Sequence, residues 1–141
     1  MENLFNSVYK AKKVLITGNT GFKGSWLTYW LVKMGANVKG ISLKQKTTPN
    51  HFSLLNLDIE TDFIDINNFN ELEKSINKFK PEIIFHLAAQ PIVRKSYLNP
   101  LETFNTNIIG TANIFEISRN LNSLRAIVNV TTDKCYLNKE I

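Results

Sequence analysis

Short apolar segments alternate with longer amphipathic ones along this 141-residue chain, and this alternation restricts its fold more than any other feature. Each short segment has the length and apolar content of a buried strand, and each longer one has apolar residues at helical spacing. Strands separated by helices form a parallel sheet with helices on both faces. The predicted strands are residues 13–17, 38–43, 63–66, 82–87 and 125–130.

Three amphipathic helices are predicted, over residues 22–34, 68–80 and 100–120. In the first, Trp26, Trp30 and Met34 recur every four residues and form an apolar stripe with Leu27 and Leu31. In the second, Asn68 is the N-cap and Pro81 ends the helix. The third is expected to bury an apolar face made of Leu101, Phe104, Ile108, Ala112 and Phe115.

These elements predict an α/β fold, a doubly wound, Rossmann-like parallel sheet with strand order 3-2-1-4-5. The segment 44–57 is predicted to be irregular. The chain ends a few residues after the fifth strand, whereas a complete domain of this kind continues to a sixth. We therefore interpret residues 1–141 as one dinucleotide-binding domain that is incomplete at its C-terminus.

Composition excludes several classes of protein. The single Cys135 excludes a disulfide scaffold, and no apolar run reaches the roughly 20 residues that span a bilayer. No secretory signal is visible, so a cytoplasmic protein is expected. The net charge is +5, and no Asp or Glu occurs between Asn3 and Leu57. The lysines of that stretch are scattered, which favours a solvated surface over a site for nucleic acid or membrane.

The first predicted strand and helix are joined by a turn with G-x-x-G-x-x-G spacing. One glycine permits a tight turn, the next lets backbone N–H groups approach a pyrophosphate, and the last lets the helix pack closely. The helix N-terminus adds its partial positive charge. The turn therefore predicts dinucleotide binding, with contacts from Gly18, Asn19, Thr20, Gly21, Phe22, Lys23 and Gly24. No metal site is predicted, because the two histidines are isolated.

The end of the second strand lacks the acidic residue that usually holds the adenosine ribose of NAD. Ser42 stands there and could bond the ribose, while Lys44 could meet a 2′-phosphate. The residues alone therefore leave NAD and NADP open. Asp65 and Ile66 end the third predicted strand, where an adenine would lie, although a simple turn is an equal interpretation.

The ends of the fourth and fifth strands supply the remaining candidates. Small residues after the fourth strand would let a cofactor approach the backbone, and the predicted contacts there are Leu87, Ala88, Ala89 and Gln90. His86 precedes that strand end and is interpreted as a buried histidine. Thr132, Asp133 and Lys134 follow the fifth strand, where catalytic groups of such sheets gather. They suggest proton transfer on a polar substrate, or a turn with a surface ion pair.

Three stretches, residues 14–27, 86–97 and 128–136, resemble the CDP-glucose 4,6-dehydratases of the extended short-chain dehydrogenase/reductase superfamily. Residues 100–104 and Thr106-Asn107 add to the resemblance, which implies that Asn107 also contacts the cofactor. It implies an NAD-dependent lyase of deoxysugar biosynthesis, acting on CDP-glucose, and a homodimer at full length. The sugar C4 hydroxyl is oxidised with hydride transfer to NAD. Water is then eliminated across C5 and C6, and the hydride returns to C6, giving CDP-4-keto-6-deoxyglucose.

The resemblance also implies roles for the residues after the fifth strand. Thr132 binds the C4 oxygen, and Asp133 protonates the departing C6 hydroxyl. Lys134 acts either as a base with a lowered pKa or as a stabiliser of the enolate. A Thr-Asp-Lys step also occurs in UDP-N-acetylglucosamine 4,6-dehydratases. That class ranks second here, with other nucleotide-sugar epimerases and dehydratases, because it lacks the Gln90-Pro91 step.

The superfamily also needs a Tyr-x-x-x-Lys pair on the helix after the fifth strand. This spacing occurs at Tyr9/Lys13 and Tyr29/Lys33, both too early in the chain to reach a nicotinamide. The chain ends before the required helix, and no substrate domain follows. We therefore expect the isolated chain to be inactive, to bind NAD weakly and to self-associate through the helix at 100–120. The alternative is a catalytically dead nucleotide-binding module.

Overall fold

The computed structural model describes residues 4–132, 136, 137 and 139. Its centre is a five-stranded sheet in the predicted order β3-β2-β1-β4-β5, and every neighbouring pair of strands is parallel. The strands are β1 Lys13–Thr17, β2 Asn37–Ile41, β3 Glu60–Asp62, β4 Ile83–His86 and β5 Ala126–Asn129. The predicted fold class is therefore confirmed.

Helices connect the strands as predicted, with two short additions. They are α1 Phe22–Lys33, α2 His51–Leu54, α3 Phe69–Phe79, α4 Val93–Leu98, α5 Pro100–Phe104 and α6 Thr111–Ser118, and a 3-10 turn, Leu4–Ser7, precedes β1. A π-helical segment, Asn105–Gly110, joins α5 to α6, so the predicted helix at 100–120 forms as one continuous run. Helix α2 lies in a segment predicted to be irregular, and α4 was not predicted.

Helix α3 begins and ends where the sequence indicates. The Asn68 side chain accepts a hydrogen bond from the Glu71 amide at its start. Lys80 adopts a left-handed conformation at its end, and Pro81 follows.

Among the described residues, no helix has both the length and the apolar content needed to cross a membrane.

The core has two layers, one on each face of the sheet, because successive side chains of a strand point to opposite faces. Val14 and Ile16 of β1 pack on one face against Leu31 and Met34. The other face packs against α3 and α6 through Leu15, Ile41, Ile66, Leu72, Ile76, Ile84, Ile114 and Ile117. The central strands are thus buried on both sides, as their continuous apolar sequences indicate.

The two tryptophans of the predicted apolar stripe of α1 do not pack in the core. Trp26 and Trp30 are about half exposed, whereas the buried residues of the helix are Gly24, Ser25, Thr28 and Leu31. Small side chains face inward because the start of α1 lies close to the turn after β1. Leu31 and Met34 of the predicted stripe do pack in the core, but nearer the N-terminus of the helix the packing face carries small residues instead of the tryptophans.

The predicted buried face of the helical run at 100–118 is also wrong. All five of its members are exposed, and the most exposed side chain, that of Leu101, has 78% of its surface accessible. The five are Leu101, Phe104, Ile108, Ala112 and Phe115. The face that packs on the sheet carries Gly110, Ile114, Ile117 and Ser118. An apolar surface of this size favours association, so the expected self-association stays a prediction.

The third strand lies earlier than predicted, at Glu60–Asp62 instead of 63–66. Its polar residues pair with β2, where Lys39 is only 2% exposed. The Lys39 ammonium lies 2.8 Å from a carboxylate oxygen of Glu60 and 2.8 Å from one of Asp62. Burial acts to lower the pKa of Lys39, but these two carboxylates outweigh it, and the pKa is raised. Lys39 is therefore not one of the solvated lysines expected from the sequence.

We expect Asp62→Asn to reduce the free energy of unfolding by about 1–2 kcal/mol, because it removes one of two carboxylates from a buried ammonium. Glu60→Gln should cost less, because Glu60 is 58% exposed and water compensates for its loss. Urea unfolding at neutral pH measures both. Glu116→Gln is the matched control, since it breaks the exposed pair with Arg119. An equal cost for Glu116→Gln and Asp62→Asn would contradict the assignment.

Candidate functional site

A cleft of about 830 Å³ lies at the carboxyl ends of the strands, where ligands bind to doubly wound sheets. It is bordered by the turn between β1 and α1, by the segment after β2, and by the residues that follow β3, β4 and β5. The predicted site residues that line it are Gly18, Thr20, Gly21, Phe22, Lys23, Gly24, Ser42, Asp65, Ile66, Leu87, Ala88 and Ala89. Most of the predicted cofactor contacts therefore border one cavity.

The glycine turn has the geometry that its spacing predicts. Gly18 has φ +74°, and a Cβ there would lie 2.8 Å from the Ala88 amide nitrogen. A Cβ on Gly24 would lie 2.0 Å from the Gly18 carbonyl oxygen, so α1 begins in direct contact with the turn. Gly21 has more room, with its nearest atom at 3.3 Å. Helix α1 therefore starts at the cleft, and a ligand in the cleft could come close to the backbone of the turn because no side chain stands in the way.

The N-terminus of α1 receives no side-chain cap. Its N-cap residue is Gly21, which has no side chain to accept the first helical N–H groups. Such groups, together with the helix dipole, form a binding site for phosphate. The turn and the helix start, both bordering the cleft, thus fit the pyrophosphate of a dinucleotide.

A buried histidine ties β1, β4 and the long helical run together. The Thr17 hydroxyl accepts hydrogen bonds from the amides of Leu87 and Ala88, both at 3.2 Å. Its own proton therefore points to His86 Nδ1, 2.6 Å away. His86 Nε2 then donates to the Thr111 hydroxyl at 2.9 Å. Burial lowers the pKa of His86 to about 4, so the ring is neutral at pH 7. His86 is a buried strand residue, as predicted.

The part of the cleft formed by the segment after β2 is polar and cationic. Ser42 follows β2 and is nearly buried, and its hydroxyl lies 2.7 Å from the hydroxyl of Thr20. Lys44 and Lys46 line the same part of the segment after β2. The Lys44 ammonium lies 5.9 Å from the ring centre of Phe63, which places it towards the end of β3.

Asp65 and Ile66 were predicted to end the third strand. They lie after the end of β3 instead, and both line the cleft. Asp65 accepts hydrogen bonds from the backbone and side-chain nitrogens of Asn67, at 2.9 and 3.0 Å. Ile66 is buried, and its carbonyl accepts a hydrogen bond from Asn113. Asp65 thus forms a turn, as one interpretation expects, and it also borders the cavity, so a position beside an adenine stays a prediction.

Asn19, Gln90 and Asn107 are not among the lining residues, and their side chains bind the protein instead. Asn19 is buried and donates to the Thr61 hydroxyl at 3.0 Å, and a Cβ on Gly40 would lie 2.2 Å from it. Asn107 accepts from the Gln90 amide at 2.7 Å and donates to the Gln90 carbonyl at 3.1 Å. These contacts hold the walls of the cleft in place. Direct cofactor contact by the three side chains stays a prediction.

His51 was missed as a site residue, because neither spacing nor a motif distinguishes it. It begins α2 and lines the cleft, with Nδ1 2.6 Å from the Ser25 hydroxyl of α1. Its ring centre lies 4.5 Å from that of Trp26 and 5.4 Å from that of Phe22. His51 therefore fastens the segment after β2 over the start of α1. Thr106 of the π-helical segment and Thr131 after β5 also line the cleft without having been predicted.

The predicted catalytic residues lie just beyond β5. Thr131 lines the cleft, and the exposed Thr132 follows it directly. Asp133 and Lys134 lie outside the described residues. The catalytic roles of Thr132, Asp133 and Lys134 therefore stay predictions. The strand that they follow in the sequence, β5, ends at the border of the cavity. Neither Tyr-x-x-x-Lys pair lies among the lining residues.

Comparison with known proteins agrees with the fold. Residues 15–138 match the GDP-mannose 4,6 dehydratase family. Over 134 residues the chain is 48% identical to a CDP-glucose 4,6-dehydratase of Salmonella typhimurium, covering 94% of this chain and 37% of that protein. It is 35% identical over 127 residues to a CDP-paratose 2-epimerase of Salmonella typhi, covering 88% of this chain and 38% of that protein. The chain thus spans well under half the length of these relatives.

Solved structures of epimerases share the fold of this chain. An epimerase of Methanothermobacter thermautotrophicus superposes with a TM-score of 0.81 at 28% identity, over 93% of this chain and 38% of that one. A UDP-glucose 4-epimerase of Thermotoga maritima, solved with UDP-glucose, gives a TM-score of 0.75 at 28% identity, over 85% of this chain and 38% of that one.

Proposed function

The chain belongs to the GDP-mannose 4,6 dehydratase family, and from this premise we propose that it is the dinucleotide-binding part of a sugar-nucleotide 4,6-dehydratase acting on CDP-glucose. One observation carries the proposal, namely the glycine turn packed against the uncapped start of α1 at the edge of the cleft. The 48% identity to a CDP-glucose 4,6-dehydratase supports the choice of substrate.

The bound group is a nicotinamide dinucleotide, NAD or its 2′-phosphorylated form. Its pyrophosphate would lie on the turn at Gly18 and Gly21, where the N–H groups of α1 are available. Its adenine would lie against Ile66, next to Asp65. When bound, it accepts a hydride from the substrate and later returns it. The side chains of Asn19, Gln90 and Asn107 act as positioning residues. Asn19 bonds Thr61, Gln90 bonds Thr103, and Asn107 bonds the Gln90 backbone, so each stabilises a wall of the cleft from behind.

The catalytic groups are proposed on the resemblance and on the position of β5. Thr132 follows Thr131, a lining residue, and its hydroxyl would bind the C4 oxygen of the sugar. Asp133 would give its proton to the departing C6 hydroxyl, so that water leaves. Lys134 would either remove the C5 proton or stabilise the negative charge that this removal creates.

The test is a chimera in which this chain replaces the segment of the Salmonella typhimurium enzyme that it matches. We expect the chimera to convert CDP-glucose to a 4-keto-6-deoxy product, and the chain alone to bind dinucleotide without turnover. Asp133→Asn in the chimera should slow product formation by about 100-fold or more, the usual contribution of a general acid. Asp58→Asn is the control, because Asp58 precedes β3 at the opposite end of the sheet.

The outcomes separate the parts of the proposal. A folded chimera that binds dinucleotide but forms no 4-keto sugar would overturn the assignment as a dehydratase. If the only product were an epimer of the substrate, an epimerase would replace it. If Asp58→Asn and Asp133→Asn had equal effects, Asp133 would have no special role.

A further inference from the structure

Residues 44–57, between β2 and β3, form a strap that makes up one wall of the cleft. The strap includes helix α2, and six of its residues line the cavity, namely Lys44, Gln45, Lys46, Thr47, Asn50 and His51. The glycine turn between β1 and α1 lines the same cavity. A molecule that fills the cleft therefore lies between the turn and the strap.

Few contacts hold the strap to the rest of the domain. None of residues 44–57 is buried, and Leu54 is 72% exposed. The backbone hydrogen bonds of α2 run within the strap itself. In the described part of the chain, no ion pair joins the strap to another element, and Lys44 contacts only the half-exposed ring of Phe63, at 5.9 Å. A segment with so few buried contacts opens locally at a much lower cost than the whole domain unfolds.

The contacts that close the strap converge on His51. Its Nδ1 atom lies 2.6 Å from the Ser25 hydroxyl oxygen of α1, and its ring packs beside the rings of Phe22 and Trp26. The Ser25 hydroxyl gives its proton to the Phe22 carbonyl at 2.9 Å, so His51 Nδ1 is the donor in the bond to Ser25. One side chain thus supplies both a hydrogen bond and an aromatic contact between the strap and α1.

The pairing of a serine with a histidine has a second chemical meaning, since such a pair can act as an activated nucleophile. Here the Ser25 residue is 0% exposed, so its hydroxyl cannot meet a substrate. The hydroxyl also gives its proton to a backbone carbonyl rather than to the histidine. The pair therefore holds two elements together and performs no bond-making step.

We propose that the strap is a gate of the cleft and that His51 is its latch, a positioning residue that holds residues 44–57 against α1. When the latch releases, the cleft loses one wall, and the molecule bound there can enter or leave. The inference rests on the proposed function for the kind of molecule that passes the gate. The latch itself is independent of that function, because its contacts lie within the protein.

The latch is tested by hydrogen–deuterium exchange of the chain, read by mass spectrometry on peptides from the strap and from β1. We expect His51→Ala to make the strap amides exchange about tenfold faster, because it removes the hydrogen bond and the ring contacts together. Ser25→Ala removes only the acceptor and should accelerate this exchange about threefold. Leu54→Ala is the matched control, since it truncates an exposed side chain of the same helix and should change the exchange less than twofold. The β1 peptides should exchange alike in all four proteins.

The gate is tested by stopped-flow fluorescence in the chimera described above, with NADH as the probe and excess NAD⁺ as the chase. In His51→Ala, association and release of NADH should both accelerate by about tenfold, so that Kd changes by less than about threefold. The two rates rise together because a weaker latch opens the same path in both directions. A residue that merely supported the bound state would instead raise the release rate and Kd together.

Each outcome decides one part. Equal exchange of the strap in His51→Ala and Leu54→Ala would overturn the latch. Faster exchange of the strap with unchanged NADH rates, or with a rise in release alone, would overturn the gate. If the parent chimera bound neither NADH nor NAD⁺, the proposed function and the gate would fall together, and hydrogen exchange would still decide the latch.

Discussion

Replacing Gly24 with alanine should abolish dinucleotide binding and lower the free energy of unfolding by about 3 kcal/mol. The added Cβ would lie 2.0 Å from the Gly18 carbonyl oxygen and 2.8 Å from the Gly18 carbonyl carbon. Both are backbone atoms, which cannot turn aside as a flexible side chain can. Helix α1 would have to move away from the turn, and its first N–H groups would move with it. Calorimetry with NAD⁺ and NADP⁺ measures the affinity, and urea unfolding measures the stability.

Gly21→Ala is the matched control for this prediction. It adds the same methyl group three residues earlier, where the nearest atom lies at 3.3 Å and the backbone φ is −70°. We expect it to lower the free energy of unfolding by at most about 1 kcal/mol, because the position is exposed and its conformation suits alanine, and the 3.3 Å contact needs only a small shift. If Gly24→Ala were as stable as Gly21→Ala and bound dinucleotide normally, α1 would not be seated on the turn as described.

The second large effect is a loss of stability on acidification that originates at His86. Burial lowers the pKa of His86 to about 4 in the folded chain, from an ordinary value of 6.5. The unfolded chain therefore binds the proton first, and the stabilisation present above pH 6.5 is lost as the pH falls towards 4. The expected loss is about 2 kcal/mol at pH 5 and about 3 kcal/mol at pH 4.

Urea unfolding between pH 7 and 5 tests this, above the range in which most carboxylates take up protons. His86→Gln keeps a donor and an acceptor for Thr111 and Thr17 but does not titrate, so its stability should change far less over this range. The control is His51→Gln, which removes the other histidine and should retain the decline. An unchanged pH dependence in His86→Gln would assign the loss to other groups.

The central strands and the glycine turn could be predicted because their signals are local, and the strand order followed from the usual order of doubly wound sheets. Residues 14–16 are continuously apolar, and Gly18 and Gly24 follow at fixed spacing. The third strand could not be placed, because its residues Glu60, Thr61 and Asp62 are polar. What makes them a strand is the buried Lys39 on β2, a partner more than twenty residues earlier. Sequence periodicity carries no signal for such a pairing.

The inward faces of the helices were less predictable than the helices themselves. Two faces of the run at 100–118 are apolar, and spacing cannot decide which of them meets the sheet. The face with Gly110 packs inward because a close approach to Ile66 needs a residue without a side chain. His51 was unpredictable for a similar reason, since its role depends on how the segment after β2 folds back onto Ser25.

The contact between Asn19 and Gly40 has an evolutionary consequence. The Asn19 amide occupies the space that any side chain at position 40 would need, so the two positions cannot vary independently. A lineage can enlarge residue 40 only after position 19 has become smaller, and in the reverse order the intermediate is penalised. The two sites therefore form one epistatic unit, in which the order of substitutions decides which paths of divergence are open.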